Sequence, residues 1–171
     1  MTRQQAQDPT EQSQWRPLRL LLDAMDADIA RVYADARIEG LKPNWVMELL
    51  RLHARGPMTI TQLAASVART HSAMSQKVAA MRAAGWVRTT AGGDARSKQV
   101  MLTGKARRVI GRLAAEWRAT EAAVAELEAE LPYPLSRVVT DIEEALRHRS
   151  FHDRIAAKLA ADPEWGGLGQ A

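Results

Sequence analysis

The sequence predicts a mainly α protein with a small β-hairpin wing: a winged helix-turn-helix embedded in a helical dimerisation scaffold. Three observations predict it. Two short apolar stripes at helical spacing, each opened by a threonine, lie back to back between Met58 and Ala84. A β-rich run, a glycine-containing tip and a second β-rich run follow them. On either side stand helical patterns whose apolar seams a winged unit of about 60 residues is too small to cover.

Composition sets the outer bounds. At 171 residues the chain suits one domain with extensions, and 46% apolar content with only 5% aromatic residues suits a helical soluble protein. No apolar run approaches the ~18 residues that a membrane span requires. The opening MTRQQAQDPTEQSQW lacks the apolar core of a signal peptide. With no cysteine at all, disulfides, thiolate metal sites and thiol redox sensing are excluded, and the expected location is cytoplasmic.

In chain order, residues 1–17 read as a flexible N-terminal tail, polar and holding Pro9. A helical pattern runs from about Pro17 to Glu39, with Leu18, Leu22, Met25, Ile29, Val32 and Ala36 stepping by four and three. Gly40 ends it and Pro43 opens the next helix, Trp45 to about Arg55, which presents Val46, Leu49, Leu50 and His53 before Gly56-Pro57 closes it. Thr59 and Gln62 have the spacing of a capping box, and the helix behind them keeps Ile60, Leu63, Ala64 and Val67 on one stripe as far as about Arg69.

Thr70 caps a second helix whose apolar positions are Ala73/Met74, Val78 and Met81. Gly85 stops it. Trp86 to Thr90 and Lys98 to Leu102 read as the two strands of a hairpin whose tip, Ala91 to Arg96, holds Gly92 and Gly93 for the positive φ of a tight turn. Thr103 caps a long helix from about Lys105 to Leu131 with a seam of Ala106, Ile110, Leu113, Trp117, Thr120, Val124, Leu127 and Leu131. Pro132-Tyr133-Pro134 breaks it, and a last helix runs from Leu135 to about Ala160 on Val138, Ile142, Leu146, Ile155 and Leu159. Residues 45–104 are thus the DNA-binding unit, 18–44 and 105–160 the helical dimerisation region, and 161–171 a C-terminal tail.

Charge follows the same partition. Of a formal net +4, the span from Trp45 to Lys105 holds nine basic residues against two acidic ones, while the flanks are slightly negative. A basic cluster alone is commonly a solvated face; here it coincides with the helix-turn-helix and hairpin, the electrostatic footprint that duplex DNA requires. On the second helix His71, Ser72, Ser75 and Gln76 form a polar face near the N-terminus, where base edges are approached in the major groove. Thr61, Gln62, Arg69, Thr70 and Lys77 are placed to hold phosphates, with Arg88, Arg96 and Lys98 on a basic wing. For residues 58–84 alone, an ordinary αα-hairpin with a solvated face is the alternative.

The stretch PNWVMELLRLHARGPMTITQLAASVARTHSAMSQKVAAMRAAGWVRTT, the wing Asp94-Ala95-Arg96 and the LTGKAR that opens the next helix resemble the MarR-type (multiple antibiotic resistance regulator) winged-helix repressors of bacteria. Ser72 stands where members often carry proline, and Gln76 where many carry a basic residue; these departures bear on which DNA sequence is read, not on the fold. The resemblance implies a homodimer held by the terminal helices and bound to a pseudo-palindrome of double-stranded DNA. It implies that Arg96 enters the flanking minor groove, with Asp94 orienting the loop. It also implies a small aromatic or phenolic effector in a crevice between dimer helices and winged unit, for which Met25, Tyr33, Trp45, His53 and Trp117 are the candidates by position. A tryptophan or methionine at helical spacing also serves as plain core, and an intramolecular bundle is the alternative to the dimer.

His148 and His152 stand four apart with Asp153 behind them, a spacing that can ligate zinc; without a third ligand no metal is expected. No cofactor is expected either. There is no phosphate loop, nucleophile motif or HExxH, so the chain does not read as an enzyme. The reading is a sequence-specific regulator of transcription, a repressor released by a small aromatic ligand. The alternative is a dimeric winged-helix protein that binds other proteins, or DNA without sequence preference, and responds to no ligand.

Overall fold

The computed structural model describes residues 8–91 and 98–166. They fall into two compact units divided between Trp117 and Arg118. A short 3-10 turn at Pro9–Gln12, capped by Asp8, lies in the segment expected to be a tail. Helix α1 spans Arg16–Asp35 and α2 spans Val46–Arg55, preceded by a 3-10 turn at Pro43–Trp45. Strand β1 is Met58–Thr59, and α3 (Ile60–Ser66) and α4 (His71–Ala83) form the helix-turn-helix. Strands β2 (Val87–Ala91) and β3 (Lys98–Leu102) follow, and α5 covers Gly104–Ala129.

The capping signals are realised at atomic level. Thr59 Oγ1 accepts from the Gln62 amide at 3.1 Å while Gln62 Oε1 accepts from the Thr59 amide at 2.8 Å, the reciprocal bonds of a capping box. Thr70 Oγ1 accepts from the Ala73 amide, and Thr103 Oγ1 from the Ala106 amide. At the other end of α4, Gly85 takes φ +75° and the Trp86 amide reaches back to the Met81 carbonyl at 2.9 Å, a Schellman stop. The same motif ends α1 and α3, but with Arg37 (φ 54°) and Ala68 (φ 51°) in the left-handed position. Both helices therefore end before Glu39 and Arg69, where the sequence placed their ends.

The sheet is larger than the expected hairpin. Its order is β1-β3-β2, all antiparallel, with Met58 opposite Val100 and Thr89 opposite Val100 on the other side. A two-residue strand carries no periodicity, so β1 leaves no mark in the sequence pattern. The core of the first unit gathers Leu49, Leu63, Met74, Met81, Trp86, Val87, Val100 and Leu113, each almost fully removed from solvent. Trp86 anchors it: the indole Nε1 donates to the Gly40 carbonyl at 2.7 Å, and Lys105 Nζ stands 4.2 Å from the ring centroid.

On α2 the buried stripe is Val46, Glu48, Leu49 and Leu52, with Trp45 just before it. It is turned toward 48 and 52 from the expected set: Leu50 is half-buried and His53 exposed. On α1 the expected seam is partly covered: Leu18, Met25, Ile29 and Ala36 are half-buried, Leu22 and Val32 are exposed, and Tyr33 is the buried position.

In the second unit, the single last helix expected from Leu135 to Ala160 is two: α6 (Leu135–His148) and α7 (Phe151–Leu159). Arg149 is extended (φ −147°, ψ 116°) and Ser150 Oγ caps the Asp153 amide, so a serine-led cap falls where the apolar seam lapses between Leu146 and Ile155. A further short helix, Pro163–Gly166, lies in the segment read as a tail. Glu128 accepts from both the amide and hydroxyl of Ser136, at 2.6 and 2.7 Å, fastening the turn after α5. Neither α6 nor α7 contains a buried residue. No helix among the described residues is long and apolar enough to cross a membrane.

Candidate nucleic-acid interface

The surface of α4 is decided by where its apolar residues go. Met74, Val78 and Met81 are buried, which leaves the opposite side to solvent. His71, Ser72 and Gln76 are exposed there and Ser75 is half-buried. Ala73, Ala79 and Ala80 are exposed beside them. Side chains this short let the helix backbone approach base edges closely, and a methyl can meet a thymine methyl. The sequence reading had assigned Ala73 to the apolar stripe.

The residues expected on phosphates divide into two groups. Thr61, Arg69, Arg88 and Lys98 are exposed. Gln62 and Thr70 are exposed as well, although an oxygen of each is already used to cap α3 or α4. Lys77 is different. Its Nζ donates to Glu48 Oε1 and to the Asn44 carbonyl, both at 2.7 Å. The reason is positional: 77 lies three residues from Met74 and four from Met81, at the edge of the buried face and within reach of Glu48. Arg96 and Asp94, which the sequence reading placed on the wing, lie outside the described residues.

Glu48 is the residue that the sequence reading missed. It is 2% exposed. A signal existed, since 45, 48, 49 and 52 have the spacing of one helical face, and an acid inside that pattern calls for a buried cation.

The candidate effector residues differ in burial. Tyr33 and Trp45 are core; Met25 and Trp117 are half-buried. His53 borders a cavity of about 290 Å³, shared with Leu52, Met101, Leu102, Arg107 and Ile110. His148 and His152 stand on either side of the break between α6 and α7, each near a carboxylate of its own helix, Glu144 and Asp153. They are not successive turns of one helix, and no group of three metal-ligating side chains is found among the described residues.

A helix-turn-helix with an outward polar face, followed by an antiparallel wing, is the geometry of winged DNA-binding domains. Residues 39–97 match the MarR family in sequence. The matched stretch takes in α2, the helix-turn-helix and strand β2. Solved structures extend the likeness in fold over most of the chain. A Mycobacterium tuberculosis transcriptional regulator, MosR, in complex with DNA, superposes with a TM-score of 0.57 at 23% identity, covering 80% of this chain and 97% of that one. The Staphylococcus aureus MepR–DNA complex gives 0.59 at 12% identity, covering 80% and 97%. A MarR protein from Peptoclostridium difficile gives 0.53 at 15% identity, covering 86% and 91%. No curated protein matches the chain in sequence. The chain thus carries the fold of MarR-family DNA-binding transcriptional regulators, a family of regulators rather than enzymes.

Proposed function

We propose that the chain is a cytoplasmic, homodimeric, sequence-specific DNA-binding repressor acting on a pseudo-palindromic operator. The observation that carries the reading is the outward face of α4: Ser72 and Gln76 are exposed, with Ser75 half-buried beside them, on a helix whose other side is buried. Short hydrogen-bonding side chains at that place read base edges. Arg69, Arg88 and Lys98 flank it, all exposed, and supply the phosphate contacts that set register. Arg96 at the wing tip is assigned to the flanking minor groove.

Dimerisation is supported by what the helices outside the winged unit leave open. On α6, Val138, Val139 and Leu146 are exposed, as are Leu127 and Leu131 in and after α5 and Leu20, Leu21 and Leu22 on α1. Burying a large apolar side chain is worth ~1.5–3 kcal/mol, so these faces favour a second copy. Two recognition helices held about one DNA turn apart, ~34 Å, then read both halves of the operator. The MosR and MepR structures each contain DNA, which supports the same partner here.

Release by a small aromatic acid is the remaining part of the reading. It is supported by the cavity beside His53, whose lining is mostly apolar but includes Arg107. The ligand would release DNA only to the extent that it prefers the unbound form.

The test is selection of bound fragments from genomic DNA followed by footprinting, with and without benzoate. A protected near-palindrome of about 20 base pairs is the expected result. Uniform, salt-sensitive binding without a protected sequence supports instead a non-specific DNA-binding or protein-binding role.

A further inference from the structure

Most of what seats α4 is apolar packing; at one position it is a charge pair. Lys77 crosses to α2 and the turn before it, placing one nitrogen 2.7 Å from Glu48 Oε1 and 2.7 Å from the Asn44 carbonyl. The Glu48 side chain is 2% exposed and that of Lys77 20%. Glu48 Oε2 has no hydrogen-bond partner among the described residues.

As a stabilising device this is a poor choice. Two charges have been taken from water and the carboxylate is only half satisfied, where two apolar side chains of similar volume would hold the helices at least as firmly. What the pair adds is direction. Apolar contacts let a helix roll by small angles at little cost, whereas two short charge-assisted bonds from one nitrogen fix where that nitrogen lies. Lys77 follows Gln76 directly and is two residues from Ser75, so fixing it fixes the rotation of α4 about its axis. The direction in which Ser72, Ser75 and Gln76 project is set with it.

We propose that Glu48 is a positioning residue for DNA readout: acting through Lys77, it fixes the roll of the recognition helix, and the Lys77 charge is spent on that task rather than on a phosphate. The inference rests on α4 being the helix that reads DNA. It extends that reading by separating the residues that touch bases from the pair that aims them.

The experiment uses the full chain, its footprinted operator and an unrelated duplex of equal length. The double variant Glu48→Met/Lys77→Met removes the pair without changing net charge and without stranding a buried ion. It is expected to melt at or above the wild-type temperature. Its affinity for unrelated DNA and its salt slope should match wild type, while operator discrimination falls by about tenfold, the worth of one base-edge contact. Lys77→Arg is the second variant. It keeps the buried acid paired, but its longer side chain and planar head move the charge off the lysine nitrogen's position, so discrimination should drop severalfold at unchanged slope.

Wild-type discrimination in the folded double variant overturns the proposal, and so does wild-type discrimination in Lys77→Arg should the double variant fail to fold. A salt slope reduced by about one phosphate in the double variant overturns it too, because Lys77 would then be contacting DNA. A wild-type protein that prefers no DNA sequence removes the underlying reading of α4 instead, and is recognised by the wild-type titration alone.

Discussion

The Tyr33 hydroxyl donates a 2.8 Å hydrogen bond to Glu116 Oε2, joining α1 to α5 across 83 positions of sequence. Burial, and then the adjacent carboxylate, push the phenol well above the ordinary tyrosine range. The sign of the linkage follows. Below pH ~10, where an unfolded tyrosine is neutral, the stabilisation is fully present; above it the unfolded state loses a proton that the folded state keeps, and stability falls. Urea midpoints should therefore decline above pH ~10 in the wild type and less steeply in Tyr33→Phe. At pH 7 the substitution should cost about 1 kcal/mol, the net worth of the lost bond. Identical alkaline profiles for the two proteins would show that Tyr33 is not the titrating group.

Ala68 sits at φ 51° in the turn of the helix-turn-helix, with the Arg69 amide bonded to the Ala64 carbonyl at 3.0 Å. An alanine there bears roughly 1–2 kcal/mol of left-handed strain that glycine does not. Part of the gain is returned as unfolded-state entropy. Ala68→Gly should raise stability by about 0.5–1 kcal/mol, read as a shift of the urea midpoint at constant m. A loss of stability would place strain elsewhere in the turn.

Ala68 also shows how far the sequence could be read. The helix-turn-helix, its two threonine caps, the stop at Gly85 and strand β3 are written in residue types whose local chemistry admits few alternatives, and the structure has them at those positions. The ends of α1 and α3 were misplaced because Arg37 and Ala68 take a conformation that neither side chain announces. The break between α6 and α7 had a signal in the sequence: the apolar steps lapse between Leu146 and Ile155, where Arg149, Ser150 and Asp153 stand, and Ser150 caps the new helix. Within the candidate interface, exposure of Ser72 and Gln76 followed from periodicity. The fate of Lys77 did not, because it depends on Glu48, 29 positions away in sequence.

Base reading and phosphate holding should separate on mutation. Gln76→Ala, exposed on α4, should change operator preference by ~1–3 kcal/mol per affected base pair and leave the salt dependence alone. Arg96→Ala should weaken binding to all sequences and flatten the salt slope by about one contact. Gel-shift titrations over a range of salt distinguish them. An unchanged affinity and slope for Arg96→Ala would remove the wing from the interface.

Because α6 buries none of its residues within the chain, substitutions on it test association without disturbing the core. Val138→Glu/Leu146→Glu should leave helicity intact and halve the mass found by sedimentation, since both charges would have to enter the proposed interface. A mass that stays at the dimer value would place the contact on other helices.

The proposed dimer makes a geometric demand on DNA, and half-site spacing tests it most directly. Insert about 5 base pairs, half a helical turn, between the halves of the footprinted operator, and compare affinities in one titration. If paired α4 helices enter successive major grooves, the insertion turns one half-site to the far side of the duplex and affinity should fall toward that for unrelated DNA. Equal affinity for the two spacings would contradict the account.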